Sequence, residues 1–480
     1  MMETSLRRAG RVLAAAAAGV LLAAAPAQAS STQVSVIEDE HQMLELGPGA
    51  QTNALDDAVA LGADVVRANV IWGRYAPSPN SKRKPKGFDG KNPNAYPGLG
   101  TVDQLVQGAQ ARGLQVLLTA TGPIPAWASR CGGSVATRRT CKPDPTLFGQ
   151  FVRALGKRYP TVKLWSIWNE PNLRSWLTPQ YTGRTLQSAA LYRALATSAI
   201  AGLRGTGHRG DTILLGETAP IGNPPGPRAN ANPQPFIRAL FCLKSDGRRM
   251  TGAEAAVQRC NGYKQLNVTG FAHHPYTRGG SRAPNSHVNA GEITAGVASR
   301  LTRILDQAGR AGRVPRKLPV FYTENGWQTN PPDRIFGVLP DFQAAYMNQS
   351  DYMAYGNSRI KSVAQYKLID DADQGSFQSG VRMLNGAPKP SYAAYRLPIW
   401  VVKKGSGVTV YGQVRPAPDG AALQVEIQHA ASASAAFATV QTVPVSSLKG
   451  QFKVAVPGQS GGVWRLRWNS LTSRQAGVGS

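Results

Sequence analysis

The chain has 480 residues, 42% hydrophobic and 8% aromatic, which is enough apolar material for a sizeable core and too much for a disordered polymer. Lys and Arg number 54 against 27 Asp and Glu, giving a formal net charge of +27. That sign suits anionic partners such as nucleic acid, wall polymers or acidic glycans. Beyond the N-terminus no apolar run reaches the roughly 20 residues that a spanning helix needs, so a multispanning membrane protein is excluded.

In chain order, the first element is an export signal. Arg7, Arg8 and Arg11 precede the apolar, Ala-rich run Val12 to Ala25, and Ala27-Gln28-Ala29 follows with small residues. This is the layout of a cleaved secretory signal, so residues 1–29 are assigned to a signal peptide and the mature protein is expected to be secreted, extracellular or at the cell envelope. The apolar run is short for a stable anchor, and Arg7-Arg8 leaves Sec and twin-arginine export both open.

From residue 32 to about 370, short β-branched or aromatic runs alternate with amphipathic stretches. The runs are Gln33–Glu38, Val65–Trp72, Gln115–Thr121, Lys163–Trp168, Thr212–Glu217, Val268–His274, Pro319–Thr323 and Ser362–Leu368. Helical spacing marks Ala54–Leu61, Val102–Arg112, Thr146–Arg158, Leu186–Arg204, Ile293–Ala308 and Phe342–Tyr355. Ala219 to Gly262 is only weakly periodic. Eight strands separated mostly by helices imply parallel pairing through helical crossovers, hence an α/β (β/α)8 TIM barrel over residues 30–398. A doubly wound sheet binding a nucleotide would need a Gly-rich loop after its first strand, where this chain has Glu38-Asp39-Glu40-His41.

Three long connections, Gly73–Gly100, Gly122–Pro143 and Pro220–Gly262, follow strands and belong on the C-terminal face of a barrel, where active sites form. Cys131, Cys141, Cys242 and Cys260 lie in these loops as two local pairs. Export favours disulfides Cys131–Cys141 and Cys242–Cys260, among three pairings open in principle. After a joint at Pro388–Pro398, short alternating strands without helices predict a small C-terminal β-sandwich over residues 399–480.

The chemistry sits at two strand ends. Leu164 to Asn172 reads Leu-Trp-Ser-Ile-Trp-Asn-Glu-Pro-Asn, a fourth strand ending in Asn169-Glu170. Val320 to Trp327 reads Val-Phe-Tyr-Thr-Glu-Asn-Gly-Trp, a seventh strand ending in Glu324. Two glutamates facing each other across the mouth of a barrel are what glycoside hydrolysis requires, one as acid and the other as nucleophile or base. Trp127, Trp168, Trp176, Trp327 and Tyr276 offer flat apolar faces for sugar rings, with core packing as the alternative for Trp168 and Trp327.

Trp168-Asn169-Glu170-Pro171-Asn172-Leu173, followed by Trp176, resembles the acid/base signature of clan A glycoside hydrolases. The likeness is greatest to the family 39 and family 5 branches, β-xylosidase-like and cellulase-like glycosidases, and it covers roughly residues 32–398. The resemblance implies Glu170 as acid/base, Glu324 as nucleophile, a retaining mechanism and a β-linked substrate. It implies further that Asn169 binds a sugar 2-hydroxyl and that Arg67 keeps the nucleophile ionised. His274-Pro275-Tyr276 looks like the clan's His-x-Tyr, whose tyrosine contacts the nucleophile. One departure is the eighth strand, which usually supplies a Trp under the first sugar and here reads Gln365-Tyr366-Lys367.

Other signals have plainer readings. Glu217, ending the fifth strand, is a rival third carboxylate, more often a hydrogen-bond partner. His273-His274 has no carboxylate or His at ligand spacing in the sequence, and Asp370-Asp371-Ala372-Asp373 lacks a known calcium pattern, so no metal or organic cofactor is expected. The expected partner is a polysaccharide or oligosaccharide substrate, with long stapled loops favouring a cleft. No nucleic-acid-binding module is present. The basic surface, densest at Ser81–Lys86, Arg138–Lys142 and Arg313–Lys317, would suit association with an anionic envelope or an acidic substrate, and a monomer is expected. A non-catalytic glycan-binding envelope protein on the same fold, and a transglycosylase, are the alternatives to hydrolysis.

Overall fold

The computed structural model describes residues 30–480, so the expected signal segment 1–29 lies outside the described residues. Strands β1 (Val34–Glu38), β2 (Val65–Ile71), β3 (Gln115–Thr121), β4 (Leu164–Ile167), β5 (Thr212–Thr218), β6 (Gly270–His273), β7 (Val320–Tyr322) and β8 (Ser362–Tyr366) form one sheet. Its order is β8-β1-β2-β3-β4-β5-β6-β7, and each pair is parallel. Val320 also bridges to Ile360, just ahead of β8, so the ring is nearly closed. Helices α1 (Pro48–Leu61), α2 (Gly100–Ala111), α3 (Pro145–Arg158), α4 (Ser188–Arg204), α5 (Pro233–Leu240), α6 (Ala298–Arg310), α7 (Pro340–Tyr355) and α8 (Pro390–Arg396) follow the strands in turn. This is the (β/α)8 barrel that the alternation predicts.

Strand periodicity explains where the site sits. Val34, Val36, Val65, Leu117, Leu164, Leu214, Ala272, Phe321 and Ala364 meet inside the ring. Two residues further along the same faces, the rows turn polar: Glu38 follows Val36, Arg67 and Asn69 follow Val65, and Thr119 and Thr121 follow Leu117. The barrel therefore has an apolar floor and an ionic top. The opposite faces, including Ile37, Val66, Leu118, Trp165 and Ile167, pack under the helices. The helices are locally well specified. Asp144 caps α3 by accepting from Thr146 and Leu147, Pro145 occupies its first turn, and Lys157 and Arg158 close its last.

Two sequence expectations are corrected here. The Pro388–Pro398 joint contains α8, whose Ala394 and Tyr395 are buried against the barrel; seven residues are too few for a helical period to show. The two cysteine pairs form the expected bridges, Cys131–Cys141 and Cys242–Cys260, but not on one face. The first lies in the loop after β3. The second follows α5, and Arg249 and Tyr263 on its loop donate to the carbonyls of Ala311 and Arg313 ahead of β7, away from the mouth. The weak periodicity of Ala219–Gly262 hides α5, an eight-residue helix that splits this stretch into two connections at opposite ends of the barrel.

Beyond α8, β9 (Ile399–Lys404), β10 (Gly407–Gln413), β11 (Leu423–Ala430), β12 (Ala438–Val445), β13 (Gln451–Val456), β14 (Val463–Trp468) and β15 (Leu471–Thr472) form two antiparallel sheets. Their orders are β9-β10-β13 and β12-β11-β14-β15, with Val401, Val410, Ile427, Trp464 and Leu466 in the core between them. The sandwich is joined to the barrel by a buried ion pair, Arg415 to Asp351 at 2.6 Å, and by Lys449 to Asp64 at 2.7 Å. Gly62, with φ 78°, ends α1 where the backbone of Arg415 passes; a Cβ there would sit 2.3 Å from it.

Candidate active site

The two strand ends carry strained backbone. Trp168 and Glu170 have φ of 67° and 37°, left-handed values that cost about 1 kcal/mol or more each in a non-glycine residue. The turn persists because its neighbours fix it. Asn169 N–H donates to Thr121 Oγ1 at 2.9 Å, Glu170 N–H to the Glu217 carbonyl at 2.9 Å, and Leu173 N–H to the Glu170 carbonyl at 2.8 Å. Glu217 is strained too, φ 43°, beside a register shift in β5 that turns its side chain into the ring. Across the mouth, Glu324 follows β7. One oxygen of Glu170, one of Glu324 and a ring nitrogen of His274 all lie within 4.8 Å of one another.

Arg67 is the hub beneath them, fully buried. It donates to Glu324 Oε1 at 2.9 Å, Glu217 Oε2 at 3.3 Å, Asn169 Oδ1 at 2.9 Å and Thr119 Oγ1 at 3.2 Å, and it pairs with Glu38. Tyr276 Oη donates to Glu324 Oε2 at 3.1 Å. His274 sits between Glu170 Oε1, 3.1 Å from Nδ1, and Glu217 Oε2, 2.7 Å from Nε2. Thr323 Oγ1 also donates to Glu217, at 2.6 Å.

The charges follow from these contacts. Burial works against ionising Glu217, but Arg67 and the hydrogen bond from His274 outweigh it and hold the carboxyl down at about 2. Burial also works against a charged His274, yet Glu324 and the bonds to Glu170 and Glu217 raise it to about 10, so it is an imidazolium at neutral pH. Burial pushes Glu38 well above the usual carboxylate range, with Glu40 and Glu324 adding to the push and Arg67 opposing it. Burial moves Glu324 upward as well, against His274 and Arg67. Glu170, His274 and Glu324, far apart in the sequence, are brought by the fold to a spacing that a cation could use. Both ring nitrogens of His274 are already engaged by glutamates, Nδ1 by Glu170 and Nε2 by Glu217.

The mouth opens into a cleft of about 1120 Å³. Asn169, Glu170, Tyr276, Glu324 and Trp176 line it, while Arg67 and His274 support it from behind. Trp127 and Trp327 do not line it, which corrects their expected place against a sugar. Trp127 is 6% exposed, packs on Trp72 and Phe88, and donates to the Pro77 carbonyl. Trp327 is 2% exposed, lies edge-on to Tyr346, and donates to the Arg282 carbonyl. The aromatic surface comes instead from Tyr366, in the strand where a Trp is usual, and from Phe377, whose ring stands 5.6 Å from Tyr366 and 6.2 Å from Tyr276. Phe377 lies outside any periodic segment, and its one sequence signal is an aromatic alone in a polar turn. Asp370 pairs with buried Lys389 at 2.7 Å and Asp371 with Lys367, which accounts for two members of that acidic run.

The fold thus brings Glu170, after β4, and Glu324, after β7, together at the mouth of a parallel eight-stranded barrel, a pairing of carboxylates that glycoside hydrolysis can use. The model of the cellulase family, glycosyl hydrolase family 5, matches residues 27–332, well over half the chain, and the chain belongs to that family and is a glycosidase. A family 39 glycoside hydrolase from the gut symbiont Bacteroides cellulosilyticus WH2 is similar in structure, with TM-score 0.50 and 12% identity over 92% of this chain and 81% of its own. A glucosidase from Croceicoccus marinus gives TM-score 0.52 and 12% identity over 91% and 95%. At such identities the likeness is one of fold. No curated protein matches the chain.

Proposed function

We propose that this protein is an exported retaining glycosidase that cleaves β-linked polysaccharide in its open cleft. The observation that carries the reading is the approach of Glu170 and Glu324 to within 4.8 Å, close to the roughly 5–5.5 Å separation of a retaining pair. Glu324 attacks the anomeric carbon as the bond to the leaving oxygen breaks, and Glu170 gives that oxygen its proton. Glu170 then takes a proton from water, whose oxygen displaces Glu324 and frees the sugar. Arg67, Tyr276 and the His274 cation face Glu324 and favour its ionised form. Asn169, with its Oδ1 held by Arg67, is oriented to donate from Nδ2 to a sugar hydroxyl.

Export is supported by the signal-like segment 1–29 and by two disulfides, which suit an oxidising compartment. Among the described residues no helix is long and apolar enough to cross a membrane. The protein acts as a monomer, held near an anionic envelope by its basic surface. The test is reducing-sugar release by the mature protein from bacterial, plant and fungal polysaccharides, with Glu324→Gln as blank. Release by the wild type alone is expected, with the product anomer retained by NMR; an inverted product would refute the double displacement. Binding without release would turn the assignment to the non-catalytic alternative.

A further inference from the structure

The positive charge of the molecule is not evenly spread. Residues 73–100 and 122–143, the connections after β2 and β3, hold ten lysines and arginines and one acid, Asp89, a net +9 of the chain's +27. Four of the ten are occupied: Arg74 by Glu45, Arg130 by Asp144, Arg138 by the carbonyls of Ala126 and Ser129, and Arg139 by Asn80. The other six, Lys82, Arg83, Lys84, Lys86, Lys91 and Lys142, are exposed and have no ion-pair partner among the described residues.

These charges stand on a fixed surface. Phe88 packs against Tyr96 and Trp127, with ring centroids 5.5 and 5.3 Å apart, which anchors the lysine-bearing loop to buried aromatics. The two loops are tied to each other by Ala126 N–H donating to the Pro79 carbonyl at 2.7 Å and by Arg139 donating to Asn80, and Cys131–Cys141 closes the second loop. Like charges held this way repel one another and cannot spread apart. None of the six lines the cleft, but the plateau adjoins it: Lys142 N–H donates to the Thr178 carbonyl at 2.8 Å, two residues from the cleft-lining Trp176.

Each kind of anion meets this surface differently. A small anion held by one or two exposed lysines is screened by water and salt, whereas a chain bearing many charges engages all six together. A bilayer surface asks for apolar side chains beside the basic ones, and no large hydrophobic residue is exposed in either loop. Five of the six are lysines, compact charges with three donors that suit separate phosphate groups, while carboxylates are gripped best by the arginine fork. We propose that the loops after β2 and β3 form a binding site for a phosphodiester-linked polyanion of the cell envelope, outside the catalytic cleft. The assignment rests on the export and envelope reading given above and is independent of the catalytic one.

The test is binding of fluorescent, deacylated poly(glycerol phosphate) to the mature chain, followed by anisotropy. Affinity is expected to fall about tenfold or more between roughly 50 and 200 mM salt, as counter-ions are released on binding. Combining Lys82→Gln, Arg83→Gln, Lys84→Gln and Lys86→Gln should weaken binding about tenfold at the lower salt, with the thermal midpoint unchanged. Arg303→Gln, Arg310→Gln, Arg316→Gln and Lys317→Gln, on α6 and the turn after it, remove the same charge elsewhere and should weaken binding less than about twofold. Equal losses in the two variants overturn the site, since the charge would then act diffusely, and so does failure to bind the polymer at all. Polygalacturonate bound as tightly as the phosphate polymer overturns the phosphodiester assignment, and tighter binding to phosphatidylglycerol vesicles overturns the choice of a polymer. Fractionation of producing cells separates the two levels: a chain that binds the polymer in vitro but stays inside the cell keeps the site and defeats the envelope reading.

Discussion

Two strands of equal length show how differently the barrel and the sandwich use one period. Along β2, Val65 is followed on its face by Arg67 and Asn69, and the strand runs from an apolar floor to an ionic mouth. Along β10, Val408 is followed by Val410 and then Gly412, and the inward face holds no charge. Buried ions are costly unless each has partners of fixed geometry. The barrel supplies them from all sides of a ring: β1, β2, β3 and the ends of β4, β5 and β7 all contribute to the contacts of Arg67. A two-layer sandwich buries one face of each sheet and has no such ring. The lesson is a difference in how the two interiors are filled: the barrel's holds a network of paired charges, and the core between the two sheets of the sandwich is apolar.

That contrast can be broken from either side. The largest effect expected is in the barrel: Glu324→Gln should lower kcat by about 10⁴-fold or more with little change in the thermal midpoint. Substantial residual turnover would move the nucleophile to another acid, Glu217 first. In the sandwich, Trp464→Ala empties a fully buried site and should cost about 3–5 kcal/mol in urea unfolding, while turnover per folded molecule stays at the wild-type level. A matching loss of turnover would show that the sandwich takes part in the site.

The junction should fall between these extremes. Asp351→Ala leaves Arg415 buried without its ion partner and should cost about 3 kcal/mol, and the double change Asp351→Leu with Arg415→Met should recover most of it. A single variant as stable as wild type would mean that the pair carries no weight. The pH response sharpens the contrast further. The Glu217 carboxyl is held at about 2 in the fold against an ordinary 4.5, so its contribution is complete above pH 4.5 and disappears as pH falls toward 2. The stability advantage of wild type over Glu217→Gln should therefore shrink by about 3 kcal/mol across that window. A gap independent of pH would remove the ionic account of Glu217.

Much of this was legible in the sequence because strands and strand ends carry strong signals. All eight barrel strands show as β-branched runs, and the glutamates stand where those runs stop. Arg67 was legible through the family resemblance, and the structure gives it the buried partners that a charge inside an apolar strand needs. The failures have physical causes. Trp127 and Trp327 lie near the mouth in chain order, but the direction of an aromatic in an irregular loop follows no period, and both turned into the core. Glu38 was passed over as part of an acidic run, although its parity with Val36 puts it on the inner face. Phe377 lies in a loop that no repeat describes. The helix α5 was hidden by its brevity, and with it the true position of the second cysteine pair.

The separate positions of the two disulfides turn a mild reductant into a spatial probe. Opening Cys131–Cys141 frees a loop that abuts Thr178, two residues from the cleft-lining Trp176, so sugar affinity should change first there. Opening Cys242–Cys260 frees only a flank of the barrel, and heat resistance should change with affinity intact. One molecule thus contains both the experiment and its own control.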